Sequence, residues 1–100
     1  MNRAILHDEA KAELEEAAAW YEAKRSGLGA EFVSAVENAI LRIHENPQWG
    51  ARYERTRFRF KLVRRFPYVV FYADGKDVLR VIAVAHGKRR PGYWRHRRFR

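Results

Sequence analysis

Apolar side chains recur every three or four residues in the first quarter of the chain, which is the spacing of one face of a helix. The members of this stripe are Ala10, Leu14, Ala17 and Tyr21. Asp8 stands just before the stripe, where an N-cap is expected, and Glu9 suits the positive end of the helix dipole. The pattern predicts a first helix that ends near Lys24.

A second amphipathic stretch follows a break at residues 25–29 that contains two glycines. Its apolar positions are Phe32, Val33, Val36, Ile40 and Ile43. Asn46 and Pro47 end it, because the residue before a proline avoids the helical conformation. Two helices joined by so few residues are expected to form an antiparallel hairpin. The short segment 3–7 is predicted as a strand that leads into the first helix.

Beyond Pro47 the period of the apolar positions changes to two, which is typical of strands. Residues 57–62 alternate cations with apolar side chains, and we expect the apolar members to face the helices. These are Phe58, Phe60 and Leu62. The cations are then expected on the open face of the sheet. They are Arg57, Arg59 and Lys61.

Two further strands are predicted at residues 68–73 and 78–85, where β-branched and aromatic residues cluster. A turn at residues 74–77 separates them. Sequential hairpins give an antiparallel sheet. The predicted fold class is therefore α+β, with an N-terminal strand and an antiparallel helix hairpin packed on a small antiparallel sheet.

The charge of the chain is unevenly distributed along its length. Residues 1–50 carry five Lys and Arg against nine Asp and Glu, a net of −4. Residues 51–100 carry 16 Lys and Arg against three Asp and Glu, a net of +13. A small domain does not need this asymmetry to fold, so we expect an anionic partner, either nucleic acid or an acidic protein.

The length of 100 residues and the hydrophobic share of 47% predict a single domain, 1–100, with its own core. The chain has no cysteine, which fits a reducing cytoplasm. The longest apolar run, residues 68–73, is far shorter than the ~20 residues that span a bilayer. The N-terminus has no apolar core of the signal-peptide type. We expect a soluble cytoplasmic protein that begins at Met1 and has no membrane partner.

Several chemistries have no support in the sequence. The histidines are scattered, so no zinc site is expected. They are His7, His44, His86 and His96. The chain also has no nucleophile elbow, no phosphate-binding glycine loop and no paired catalytic carboxylates. We therefore expect no cofactor and no metal, and the sequence leaves open whether the chain is an enzyme.

The alternating cations of residues 57–62 form the first candidate site. Same-side residues on a strand lie ~7 Å apart, which is close to the spacing of phosphates along one nucleic-acid strand. The alternative is a solvated face that prevents edge-to-edge aggregation.

A second candidate site follows the last strand, where a loop can present side chains held by a rigid sheet. Its members are His86, Lys88, Arg89, Arg90, Tyr93 and Trp94. Arginine can stabilise a phosphorane or bind a carboxylate, tyrosine or histidine can transfer protons, and aromatic rings can stack on bases. The alternative is that Trp94 packs at the edge of the core, His86 caps the strand and the cations aid solubility.

A third candidate is the pair Arg64 and Arg65, which stand before Phe66-Pro67-Tyr68 at a strand end and extend the positive patch. The alternative for Tyr68 and Tyr72 is that they are half-buried strand aromatics. Residues 95–100 are expected to form an exposed basic tail.

The order of strand, two helices and three antiparallel strands resembles the RelE/ParE superfamily, the toxins of type II toxin–antitoxin modules. The resemblance covers almost the whole chain and favours the ParE-like plasmid-stabilisation branch. Its local marks are Trp20-Tyr21-Glu22, Gly27-Leu28-Gly29 with Glu31-Phe32, Ile43 with Asn46-Pro47, Arg64-Arg65-Phe66-Pro67-Tyr68 with Phe71-Tyr72, and Val84-Ala85-His86 with Arg89-Arg90.

The resemblance implies one of two activities. RelE-like members cut messenger RNA on the ribosome, and that branch's functional residues match four positions of this chain. They are Arg59, Lys61, Arg89 and Tyr93. However, Val69 stands where RNA-cutting members carry an arginine. ParE-like members instead poison DNA gyrase and lack the full nuclease set, so this departure favours gyrase as the target.

The resemblance also implies a cognate antitoxin, whose acidic C-terminal segment wraps the toxin. We expect it to cover the cations of residues 57–61 together with Arg89 and Arg90. A non-catalytic module that binds nucleic acid through its basic half is the alternative from a different functional class.

Overall fold

The computed structural model describes residues 3–75 and 78–99. The predicted turn at 74–77 therefore falls partly outside the described residues, at Lys76 and Asp77. The elements in chain order are β1 (Arg3–Leu6), α1 (Asp8–Lys24), α2 (Leu28–Glu45), a 3₁₀ turn (Pro47–Trp49), β2 (Ala51–Arg52), β3 (Arg59–Leu62), β4 (Tyr68–Asp74) and β5 (Val78–His86).

The five strands form one sheet in the order β1-β5-β4-β3-β2. Strands β2 to β5 are joined antiparallel, as successive hairpins. Strand β1 pairs with β5 in parallel, from Arg3 opposite Val78 to Leu6 opposite Val81, so the sheet is mixed. The α+β fold with an N-terminal strand and a helix hairpin on a small sheet is confirmed, and the two-residue strand β2 is an addition.

The helix hairpin depends on a carboxylate and two glycines. The Glu22 carboxylate accepts hydrogen bonds from the backbone N–H of Gly27, at 3.0 and 3.1 Å, and of Gly29, at 3.0 Å. Gly27 has φ 89°, which favours glycine, and a Cβ on Gly29 would lie 2.6 Å from the Ala18 carbonyl oxygen. The N-cap of α1 is His7, not Asp8, because the His7 Nδ1 accepts the Glu9 N–H at 3.0 Å.

The main core lies between the helices and one face of the sheet. The predicted stripe of α1 faces it, with Ala10 and Ala17 buried and Leu14 and Tyr21 packed at its margin. Its largest fully buried members are Phe32, Val36, Ile43, Val70, Tyr72, Leu79, Val81 and Val84. At one end of this core the Tyr21 ring lies 5.1 Å from that of Phe32, centroid to centroid.

The opposite face of the sheet, here called the far face, carries a second, smaller core. Its buried members are Ile82, Ala83 and Trp94, and its half-buried members are Tyr53, Phe58, Phe71, Tyr93 and Phe99. The expectation that the apolar side chains of residues 58–62 face the helices is wrong for Phe58 and Phe60. Phe60 stands opposite Phe71 of the far face, and Lys61 stands opposite Val70 of the main core. Alternation shows which residues share a face but not which face the helices cover.

The C-terminal residues return across the far face instead of extending into solvent. Trp94 is 0% exposed there, and Arg97 is only 8% exposed. The expectation of an exposed tail is therefore wrong for Arg97, although Arg95 and Arg98 are exposed. Arg100 lies outside the described residues. Within residues 3–75 and 78–99, no helix combines the length and apolar character needed to cross a membrane.

Candidate functional site

The three cations predicted on an open strand face do not form one array. Arg59 donates a hydrogen bond to the Gly50 carbonyl at 2.8 Å, and the Lys61 ammonium lies 4.0 Å from the centre of the Trp49 ring. Both side chains are half-buried on the helix-facing side and hold the chain around the 3₁₀ turn. Arg57 is exposed and lies outside the strand. Arg59 and Lys61 are therefore tied into the protein by their own contacts.

The two other basic clusters meet at one end of the sheet. Tyr68 at the start of β4 stands opposite His86 at the end of β5, with ring centres 5.2 Å apart. The Gly87 N–H donates to the Pro67 carbonyl at 2.8 Å, which joins the two loops. The exposed cations of this sheet end are Arg64, Arg65, Lys88, Arg89 and Arg90.

The loop after β5 is shaped by His86. Its Nδ1 accepts the Lys88 N–H at 3.0 Å, and its carbonyl accepts the Arg89 N–H at 3.0 Å. These bonds fold the backbone into a turn. Lys88, Arg89 and Arg90 project from it, and we refer to these three residues as the strand-end cations.

The strand-end cations differ from Arg65 in their ion pairing. Arg65 donates to the Glu31 carboxylate at 3.0 Å, and Arg25 lies 3.4 Å from the same carboxylate. These two arginines hold the pKa of Glu31 below its ordinary value. Among residues 3–75 and 78–99, none of the strand-end cations forms an ion pair with a carboxylate of the protein. Their charge is thus available to a partner.

A pocket of about 500 Å³ lies beside these cations, between α1 and the ends of β4 and β5. Trp20, which is 58% exposed, forms one wall, and Tyr68, His86 and Arg89 form the other. Burial raises the pKa of Tyr68, so its hydroxyl stays protonated. We refer to this feature as the α1 pocket; it offers aromatic surface together with a guanidinium group.

Glu13 is the centre of a polar network that joins α1, β5 and the C-terminal segment. Its carboxylate accepts the Tyr93 hydroxyl, the Val84 N–H at 3.0 Å and two Arg97 nitrogens at 2.8 and 3.0 Å. Arg97 also donates to the Ile82 carbonyl at 3.0 Å. Burial opposes ionisation of Glu13, but these hydrogen bonds outweigh it, so its pKa lies below the ordinary value. The network ties the C-terminal segment to α1 and β5.

The structure gives Tyr93 and Trp94 surroundings that differ from those of the exposed cations. Burial, with the hydrogen bond to Glu13 next, strongly raises the pKa of Tyr93, so the hydroxyl is kept as a donor. Trp94 packs its ring 4.8 Å from that of Phe71 and 5.0 Å from that of Phe58. Of the two interpretations offered for Trp94, packing in the core fits its complete burial.

A groove of about 640 Å³ lies on the other side of the helix hairpin, between α2 and the end of β3. Small side chains form its floor, and two exposed leucines flank it, Leu41 at 57% and Leu62 at 67%. Arg42, Arg64 and Arg65 stand on its rim, as do Glu31 and Glu45. We refer to it as the α2 groove.

Strand β3 has an open edge next to the α2 groove. Strand β2 pairs with Arg59 and Phe60 only, so within the described part of the chain Lys61 and Leu62 have no strand on that side. An unpaired edge can accept a further strand.

The sequence did not predict the α2 groove, the position of Trp20 in the wall of the α1 pocket or the ion pair between Glu13 and Arg97. Leu41 was a usable signal, because it is a large apolar residue off the buried stripe of its helix. Glu13 carried no such signal, since it is one of several glutamates on α1.

The comparisons with known proteins agree with the observed fold. A family model described as the ParE toxin of the type II toxin–antitoxin system, parDE, matches residues 4–91. The chain belongs to this toxin family. It is therefore the toxin type of a two-component module whose other member is an antitoxin. The C-terminal residues from Gly92 onward, including Tyr93 and Arg97, lie beyond the matched range.

A solved structure from P. aeruginosa, titled as a chromosomal ParDE toxin–antitoxin system, has the same fold. The TM-score is 0.61 at 14% sequence identity, and the match covers 86% of this chain and 95% of that one. A search of curated proteins gives no significant match. At this identity the structural likeness supports the fold alone.

Proposed function

We propose that this ParE-family chain arrests growth by poisoning DNA gyrase and is neutralised by a cognate antitoxin. The observation that carries the proposal is the sheet end beside the α1 pocket, where the strand-end cations stand exposed and form no ion pair with a described carboxylate. Exposed guanidinium groups suit an acidic protein surface or DNA phosphates. The family membership supports gyrase as the target, and this surface offers a place for the contact.

Three of the four residues that match the mRNA-cutting branch are half-buried and held by neighbouring groups of the protein. Arg59 bonds to a backbone carbonyl, Lys61 lies on Trp49 and Tyr93 donates to Glu13. Arg89 alone of the four is exposed. Together with Val69, this arrangement supports the gyrase target over RNA cleavage.

Expression of the chain without its partner tests the target. A gyrase poison is expected to trigger DNA damage signalling and filamentation within a few generations while transcripts stay intact. The Arg89→Ala variant should be less toxic at equal expression. Lys11→Ala, which removes an exposed cation of α1 that does not line the α1 pocket, is the matched control and should remain toxic. Immediate translational arrest with cleaved transcripts would contradict the gyrase target.

The α2 groove is a better supported docking place for the antitoxin than the surface expected from the sequence, which was the cations of residues 57–61 with Arg89 and Arg90. An apolar floor suits an amphipathic segment, the three arginines on the rim outnumber its two glutamates and so favour an acidic one, and the open edge of β3 suits a strand that follows it. Of the expected cations, Lys61 borders this region through Trp49, whereas neither Arg89 nor Arg90 lines the groove.

Titration calorimetry with the protein encoded beside this chain tests the docking place. Leu41→Asp and Leu62→Asp place a charge in the groove and should weaken binding by at least about tenfold. Ala12→Asp, an exposed position on α1, is the control and should bind as the wild type does. Unchanged affinity of both groove variants would place the antitoxin elsewhere.

A further inference from the structure

Arg89 is held against an aromatic ring of the C-terminal segment. Its guanidinium carbon lies 3.8 Å from the centre of the Tyr93 ring, which is close contact for a cation over a π face. The Arg97 guanidinium also approaches this ring, at 5.1 Å. Arg89 is exposed, so without this ring its long side chain would sample many rotamers.

The Tyr93 ring is itself fixed at both ends. The backbone N–H of Tyr93 donates to the Arg90 carbonyl at 3.2 Å, and the hydroxyl on the ring donates to Glu13 of α1. Glu13 is in turn held by Val84 and by the buried Arg97. A chain of contacts therefore runs from α1 and β5 through Tyr93 to the guanidinium group of Arg89.

We propose that Tyr93 is a positioning residue, which holds the Arg89 guanidinium at the mouth of the α1 pocket for contact with the target. This inference rests on the proposed function, in which Arg89 touches the target. The family match ends before Tyr93, so the C-terminal segment supplies this support beyond the matched range. Tyr93 then acts through Arg89, and it is not the proton donor or acceptor that the resemblance to RNA-cutting toxins implies.

The expected size of the effect follows from side-chain ordering. Immobilising a rotamer-rich side chain on binding reduces affinity, and a side chain that is already ordered avoids most of this loss. Loss of the Tyr93 ring is therefore expected to weaken gyrase inhibition about 2- to 10-fold.

The variants separate the ring from the hydroxyl. Tyr93→Leu removes the ring, whereas Tyr93→Phe keeps the ring under Arg89 and removes only the bond to Glu13. Phe99→Leu is the matched control, because Phe99 is an aromatic of the same segment that contacts His7 and Arg80 instead of Arg89. Tyr93→Met replaces Tyr93→Leu if the latter does not fold by circular dichroism.

The first readout is the NMR signal of the Arg89 side chain, which does not depend on the target. An aromatic ring 3.8 Å away should shift the Arg89 side-chain protons through its ring current. We expect this shift in the wild type, Tyr93→Phe and Phe99→Leu, and its loss in Tyr93→Leu. If the Arg89 signal is the same in Tyr93→Leu as in the wild type, the inference is overturned whatever gyrase does.

The second readout is a double-mutant cycle on gyrase supercoiling. If Tyr93 acts through Arg89, Tyr93→Leu should add nothing to the loss already caused by Arg89→Ala. Additive losses would overturn the inference, as would a Tyr93→Phe variant that inhibits as poorly as Tyr93→Leu. If Arg89→Ala alone leaves inhibition unchanged, the proposed target contact fails, and the NMR signal still decides whether Tyr93 positions Arg89.

Discussion

The two faces of the sheet are both covered, but by different kinds of structure. The helix-facing side is covered by the regular hairpin of α1 and α2, and the far face is covered by the irregular C-terminal segment around Trp94. The first cover is held by apolar packing, and the second adds the ion pair between Arg97 and Glu13. The comparison teaches that a segment rich in arginine can be part of the folded structure, so its charge alone does not mark it as a binding tail.

The largest expected effect comes from removing one large aromatic from each core. Phe32→Ala in the main core and Trp94→Ala on the far face should each lower the free energy of unfolding by about 3–5 kcal/mol, because both side chains are fully buried. Urea unfolding measures both. A loss under about 1 kcal/mol for Trp94→Ala would mean that the far face is not a core in its own right.

The next largest effect tests whether the Arg97–Glu13 ion pair holds the C-terminal segment on the far face. Arg97→Met keeps most of the buried volume but removes the partner of Glu13, and it should cost about 1–3 kcal/mol. The cost stays moderate because Glu13 retains its bonds from Tyr93 and Val84. Arg98→Met, at an exposed neighbouring position, is the control and should change stability by no more than about 0.5 kcal/mol.

The pH dependence of stability should differ between the wild type and Glu13→Gln. The pKa of Glu13 is lower in the folded protein than in the unfolded chain, so its ionised form stabilises the fold above the ordinary glutamate pKa of about 4.3. This contribution is lost as the pH falls through the folded-state pKa. Urea unfolding at pH 7 and pH 3 should therefore show a gap between the two proteins that narrows in acid. A constant gap would contradict an ionised Glu13.

The smallest expected changes in stability distinguish an arginine that is hydrogen-bonded within the protein from an arginine that is exposed to solvent. Arg59→Ala removes the bond to the Gly50 carbonyl and should cost about 1 kcal/mol. Arg57→Ala, two residues earlier and exposed, should stay within about 0.5 kcal/mol of the wild type. Equal losses in urea unfolding would mean that the two arginines have the same structural role.

The helices and long strands were predictable because their periodicity is local. The stripe from Ala10 to Tyr21 and the proline at position 47 placed the helix hairpin without any knowledge of the rest. The parallel pairing of β1 with β5 was not predictable, since it joins residues more than 70 positions apart. The sequence also could not predict which side chains of β3 face the helices, because this depends on Trp94 covering the far face.

The candidate site was predictable in part. The strand-end cations and the pair at Arg64 and Arg65 were identified from charge and from their place beside predicted strand ends, and the structure brings them together. Glu13 and Arg97 could not be paired from sequence, because 84 positions separate them and nothing distinguishes either from its charged neighbours.

The most direct test of the central claim, that the strand-end cations contact gyrase, is a supercoiling titration with purified gyrase. The wild type and Lys11→Ala should inhibit supercoiling at the same concentrations, and the double variant Arg89→Glu/Arg90→Glu should need at least about tenfold more protein, which corresponds to ~1.4 kcal/mol of lost interaction. Normal supercoiling in the presence of excess wild-type protein would contradict the account, and so would full inhibition by the double variant.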